Sequence, residues 1–147
     1  MRFLNLVSFL STTTLALTTG LDERHANENA LIARAATVCG SGYKLQDAIP
    51  LPEGTEPSMR LATLYSYQGN GKGCLILDNN VGESQYMYLR VCKYDDTNCD
   101  KDSGSFSQYA GPVYIESFAC APVVAKMGDS SSKLYIDFED EYVFPCN

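Results

Sequence analysis

Carboxylates are the side chains with most scope for chemistry in this 147-residue chain. Eighteen Asp and Glu stand against eleven Lys and Arg, a formal net charge of −7. Asp47, Asp78, Glu83, Glu116, Asp137 and Glu139 are the candidates for a general acid and its partner, the pair that a glycosidase holds on either side of the bond it cuts. Imidazole chemistry is almost missing. The one histidine, His25, lies near the amino end. Residues 35–147 therefore lack the base of serine and cysteine hydrolases, the usual ribonuclease acid–base residue and the commonest metal ligand. The chain also has no Trp to serve as a sugar platform. The expectation is a protein without enzymatic activity, with a carboxylate-dependent hydrolase of polysaccharide as the alternative.

Three short motifs resemble sites but fail on spacing. Cys39-Gly-Ser-Gly-Tyr43 sets a serine between glycines, yet a nucleophile elbow needs a strand before it, a helix after it and a histidine elsewhere. It reads as a turn. In Gln68-Gly-Asn-Gly-Lys-Gly73 the lysine is followed by Gly73 and Cys74 where a phosphate loop needs Ser or Thr opening a helix. A hairpin turn fits better. Asp95, Asp96, Asn98, Asp100 and Asp102 offer oxygen ligands, but an EF-hand counted from Asp96 would have Lys101 and Ser107 where Gly and Glu belong. A solvated acidic loop over residues 93–103, pinned by a Cys92–Cys99 bridge, is the expectation. A weak, irregular calcium site in 95–102 is the alternative. No cofactor is expected.

The amino end is not part of the fold. Met1-Arg2 supplies a positive end, Phe3 to Leu17 an apolar run diluted by Ser and Thr, and Thr18-Thr19-Gly20 small residues for cleavage, so residues 1–20 read as a secretory signal. The run is too short and too rich in hydroxyls for a membrane span. Residues 21–34 read as a pro-segment or an arm that stays attached. Their ending, Leu31-Ile32-Ala33-Arg34, offers a single Arg to a kexin-like protease. Residues 35–147 form one domain holding all six cysteines and all ten tyrosines. Cys39, Cys74, Cys92, Cys99, Cys120 and Cys146 are even in number and follow a signal, which reads as a disulfide framework; no Cys-x-x-Cys spacing suggests zinc. Six cysteines allow fifteen pairings. The eight Lys and Arg of the domain are scattered singly among fifteen acids. That argues against nucleic acid and anionic membranes as ligands.

Alternation of apolar and polar residues supplies the elements. Arg60–Tyr67 is a strand, with Leu61, Thr63, Tyr65 and Tyr67 on one face and Ala62, Leu64 and Ser66 on the other. Cys74–Asp78, a short strand around Val123-Val-Ala125 and Lys133–Phe138 follow the same rule, the last with Leu134, Ile136 and Phe138 inward. Ser84–Cys92 is the clearest strand: Met87, Leu89 and Val91 face the core, and Tyr86, Tyr88 and Arg90 face away. That second stripe is either a partner-binding surface, since Tyr and Arg anchor interfaces, or ordinary cross-strand packing. Asp102-Ser-Gly104 reads as a turn and Ala110-Gly-Pro112 as a break. Pro112 should open a strand or lie on a sheet edge, and Val113–Phe118 is the strand that follows. Ile49–Pro57, with three prolines, reads as a loop, as does Gly128–Ser132. No helical period is visible. The fold class is all-β, a small antiparallel sandwich or barrel.

Cys39-Gly-Ser-Gly-Tyr43, the strand around Tyr65 and Tyr67 with Cys74 after it, and Asp102-Ser-Gly-Ser-Phe-Ser-Gln-Tyr-Ala-Gly-Pro-Val-Tyr114 together resemble the spore-associated protein A family. Its members are small secreted proteins of actinomycetes, with relatives in fungi. The likeness spans most of residues 38–122. It implies location more than mechanism, because the family carries no established enzymatic activity. The family's four cysteines match Cys39, Cys74, Cys120 and Cys146. The resemblance then implies Cys39–Cys74 and Cys120–Cys146 bridges, with Cys92 and Cys99 an added local pair. The family's Trp-Gly-Gly stretch is replaced here by Pro122-Val-Val-Ala125.

Signal, pro-segment and paired cysteines also match the layout of small cysteine-rich effectors secreted by plant-pathogenic fungi. The expected function is a secreted, disulfide-stabilised interaction protein of that effector or virulence type, binding a host or other partner protein. A structural protein of the spore or cell-wall surface is the alternative.

Overall fold

In the computed structural model, the structure describes residues 26, 29, 30, 33 and 38–146. The proposed signal, His25 and most of the 21–34 segment lie outside those residues. The described residues hold eight strands: β1 (Lys44–Leu51), β2 (Ala62–Gly69), β3 (Lys72–Asn79), β4 (Gln85–Val91), β5 (Asp100–Phe106), β6 (Tyr109–Glu116), β7 (Val123–Ser130) and β8 (Lys133–Asp140). They form two antiparallel four-stranded sheets, β1-β2-β3-β6 and β5-β4-β7-β8. This is the all-β sandwich that the alternation predicts.

The core lies between the sheets. Leu64, Leu75, Leu77, Val113 and Ile115 of the first sheet meet Met87, Leu89, Val91, Ala125, Met127 and Ile136 of the second. Burying one such side chain contributes about 1.5–3 kcal/mol relative to leaving it in water. Phe144 closes one end of this core. It is fully buried, packs on Phe118 at 5.4 Å between ring centroids, and needs Gly73 opposite it. A Cβ at Gly73 would come within 2.7 Å of the Phe144 ring.

Three disulfides join Cys39 to Cys74, Cys92 to Cys99 and Cys120 to Cys146. These are the pairings implied by the family resemblance and the local loop. The first ties the chain ahead of β1 to β3, and the third ties the last residues to the segment before β7. Asn70-Gly71 turns β2 into β3 with both residues at positive φ, as a two-residue hairpin requires.

Four expectations need correction. Ile49–Pro57 is not wholly loop, because Lys44–Leu51 pairs with β2 from Lys44↔Gln68 to Leu51↔Ala62. β1 is an edge strand, where Pro50 forfeits nothing by lacking an N–H. Asp102-Ser-Gly104 is not a turn but the middle of β5, paired with Leu89, Tyr88 and Met87. β5 is also an edge and exposes one face, so its polar residues cost little there. Gly128–Ser130 belongs to β7 rather than a loop. Gly128 lets β8 approach so closely that a Cβ would meet the Lys133 carbonyl oxygen at 2.1 Å. Finally, Ala26, Asn29, Ala30, Ala33, Val38 and Cys39 are helical. Alanine propensity rather than an apolar period carries the first of these.

Pro112 does lie on an edge, since β6 ends its sheet, although the strand begins three residues earlier at Tyr109. Opposite Gly111-Pro112 the register with β3 shifts between Leu75 and Leu77.

Candidate partner-binding face

Tyr86, Tyr88 and Arg90 stand on the outer face of the second sheet. The core side of β4 is filled by Met87, Leu89 and Val91, so strand geometry sends these three the other way. Pairing adds neighbours that the sequence alone did not join to them. Tyr88 lies opposite Lys126 and Arg90 opposite Val124 on β7. Across β7, Lys126 faces Asp137 and Val124 faces Glu139 on β8. On the other side, Arg90 faces Lys101 of β5. Tyr86, Tyr88, Arg90, Val124, Lys126 and Glu139 line one shallow depression of about 280 Å³.

Its charges are partly committed. Lys126 Nζ bonds Asp137 Oδ1 at 2.7 Å, and this hydrogen bond holds the ammonium pKa above its ordinary value. Arg90 Nη2 lies 3.9 Å from Asp96 Oδ1, at the edge of ion-pair range. Arg90 Nε is buried and has no hydrogen-bond acceptor. A guanidinium beside two tyrosines is a residue type suited to taking a carboxylate.

Residues 93–99 form the solvated loop pinned by the Cys92–Cys99 bridge that the sequence led us to expect, but the acidic run continues into β5. Asp100 and Asp102 lie on β5 and their carboxylates accept the N–H groups of Tyr114 and Gly111 on β6, each at 2.8 Å. They thereby cap an otherwise open sheet edge and suppress pairing with another chain. Asp95 accepts from the Thr97 hydroxyl and N–H, which lowers its carboxyl pKa. Cys92, Asp96 and Cys99 are the one group of ligand-type side chains brought together among the described residues. Their two sulfurs are joined to each other, leaving a single carboxylate.

The hydrolase candidates are dispersed. Asp47 is exposed on β1, Asp78 is buried on the outer face of the first sheet, and Glu83 lies in the β3–β4 turn. Glu116 is exposed and pairs with Lys72 at 2.9 Å; that hydrogen bond lowers its pKa. Asp137 and Glu139 share a depression of about 340 Å³ with Glu53. They sit two apart on one strand, side by side rather than facing each other across a substrate.

A second cluster of tyrosines was legible as a strand face but not as a site. Tyr65 and Tyr67 of β2, Cys74 and Ile76 of β3, and Cys39 are buried on the outer face of the first sheet, with Tyr43, Ala48, Tyr109 and Tyr114 packed around them. The Tyr114 hydroxyl donates to the Cys39 carbonyl at 3.2 Å.

Comparison with known proteins adds one likeness. The chain is similar to Spore-associated protein A of Streptomyces coelicolor. The two are 33% identical over 79 residues, which is 53% of this chain and 48% of that protein. The chain thus spans about half the length of the curated relative it matches. No family model matches it, and no solved structure matches it.

Proposed function

We propose that this is a secreted, non-enzymatic interaction protein that binds a host or other partner protein through the Tyr86–Tyr88–Arg90 face. The observation that carries the reading is the open face itself. Two tyrosines, an arginine and a lysine share one shallow depression on a cross-linked scaffold. Such residues supply interface energy at low entropic cost, and a rigid sheet presents them without reorganisation. The partner this fits offers an acidic side chain beside an apolar or aromatic patch. An effector role in a plant host is the specific form of the proposal.

The test is affinity capture by the oxidised protein from plant apoplast and cell extract, with Tyr88→Ala/Arg90→Ala as the control. The proposal expects proteins retained by the wild type and lost with the variant. An identical set from both would end it.

The likeness to Spore-associated protein A supports a second reading, a structural protein of the spore or wall surface. Expression during sporulation rather than on host contact distinguishes it.

A further inference from the structure

Two open sheets present four strand edges, and an edge offers bare backbone N–H and C=O groups to any passing chain unless it is guarded. Three of the four are guarded here. β5 and β6 close on each other through Asp100 and Asp102, which take the Tyr114 and Gly111 N–H groups at 2.8 Å. β1 carries Pro50 and a register shift between Leu45 and Asp47. β8 lacks these devices. From Ile136 to Asp140 it keeps a regular register with Met127 to Val123 and holds neither proline nor glycine. Among the described residues, β7 is its one paired neighbour. Every second residue of the run turns its N–H and C=O away from β7, toward the open side.

That edge borders the depression of about 340 Å³. Tyr135 to Glu139 form one wall, and Leu51, Pro52 and Glu53, where β1 ends, form the other. The two faces of β8 differ in chemistry. Asp137 and Glu139 are exposed on the outer face, whereas Ile136 and Phe138 turn inward to the core that also holds Leu51. Glu53 adds a third exposed carboxylate, and no cation is among the described residues that line the groove. A strand laid along β8 would alternate in step with it. Its outward side chains would stand beside Asp137 and Glu139, a place for Lys or Arg. Its inward side chains would stand beside Leu51 and Pro52, a place for an aliphatic residue. A second copy of β8, paired about Phe138, would instead set Asp137 against Glu139, and like charges directly opposite are destabilising.

We propose that the β8 edge takes an extended peptide as an added strand, and that its ligand is a segment in which Lys or Arg alternates with aliphatic residues. Backbone hydrogen bonds to β8 supply the affinity. The carboxylates and the Leu51–Pro52 wall supply register and selectivity. Glu139 also borders the Tyr86–Tyr88–Arg90 depression, so the two surfaces adjoin. The inference stands on the edge and its carboxylates and does not depend on the role proposed for that face. The two surfaces also select opposite charge: the tyrosine face fits an acidic partner, the β8 edge a basic strand.

Amide hydrogen exchange on the oxidised protein tests it, with a blocked hexapeptide of alternating lysine and valine as the probe. At saturation the peptide should slow exchange at alternate amides between Ile136 and Asp140 by about tenfold or more. Two isomers, methylated at the lysine or at the valine amide nitrogens, should differ in affinity by about tenfold, because only one set of N–H groups faces β8. Asp137→Asn/Glu139→Gln should weaken binding of the unmethylated peptide by about tenfold. An alternating glutamate–valine peptide should not bind. Tyr88→Ala/Arg90→Ala should leave the lysine peptide's affinity unchanged, which separates failure here from failure of the tyrosine face. Unaltered exchange over residues 136–140 overturns the proposal, as do equal affinities of the two isomers for the wild type. So does equal binding of the glutamate peptide, or binding lost with Tyr88→Ala/Arg90→Ala and kept with Asp137→Asn/Glu139→Gln. The same protection in the protein alone, rising with its concentration, would assign the edge to a second copy and overturn it too.

Discussion

The chain uses the same pattern twice with opposite results. Tyr65-Ser-Tyr67 and Tyr86-Met-Tyr88 are both Tyr-x-Tyr on central strands, and both pairs point away from the sandwich core. Tyr65 and Tyr67 are 1% and 0% exposed, whereas Tyr86 and Tyr88 are only half-buried and line an open depression. The strands do not differ in kind. What differs is what lies over them: the Cys39–Cys74 disulfide holds Val38, Cys39 and Tyr43 against one face, and nothing described lies against the other. Burial of a tyrosine here is decided by chain entry and cross-linking, not by the strand that carries it. One pair is buried in the fold, and the other is left open on the surface, where the proposed function places recognition.

The comparison can be broken by substitution. Tyr67→Ala should show the largest effect, a loss of about 3–5 kcal/mol as for other buried aromatic truncations, measured as a fall in urea midpoint. Cys39→Ser/Cys74→Ser comes next, with a loss of about 2–4 kcal/mol and a rise in Tyr65 and Tyr67 reactivity. Asn79→Ala should cost about 2–3 kcal/mol, since its amide donates to the Glu83 and Phe106 carbonyls at 2.7 and 2.9 Å and accepts from the Val81 N–H at 2.9 Å. That variant sharpens the comparison, because it loosens the sandwich without touching either tyrosine pair.

A pH titration separates the pairs differently. Burial, assisted by Tyr65 and Asp78, pushes the Tyr67 phenol well above its ordinary value of 10.0. A raised pKa favours the protonated form in the folded state. Its contribution is therefore fully present below about pH 10 and is lost as pH rises. Absorbance at 295 nm should show Tyr67 ionising only together with unfolding. Ionisation of every tyrosine in a still-folded domain would contradict the assigned burial.

How much of this was legible in the sequence depended on whether a strand has a face to bury. β4 and β8 alternate because one face meets the core, and their inward residues were readable from spacing; β2 alternates too, but both its faces are buried, so spacing alone did not say which meets the core. β1 and β5 are edges with exposed residues, so Pro50 and the Asp-Ser-Gly run looked like loop and turn. The candidate partner-binding face was half legible. Tyr86, Tyr88 and Arg90 share a strand and announce themselves, but Lys126, Val124 and Lys101 join them only through register, which no local pattern encodes. The carboxylates of Asp100 and Asp102 were visible as an acidic cluster. Their role as caps on β6 required knowing that β6 is an edge running beside β5.

Urea unfolding of Tyr67→Ala and Tyr88→Ala, run side by side on the oxidised protein, tests the division of labour most directly. The expected result is a loss of several kcal/mol for the first and less than about 1 kcal/mol for the second. Equal losses would mean that the open pair is structural too, and that recognition must be sought elsewhere on the molecule.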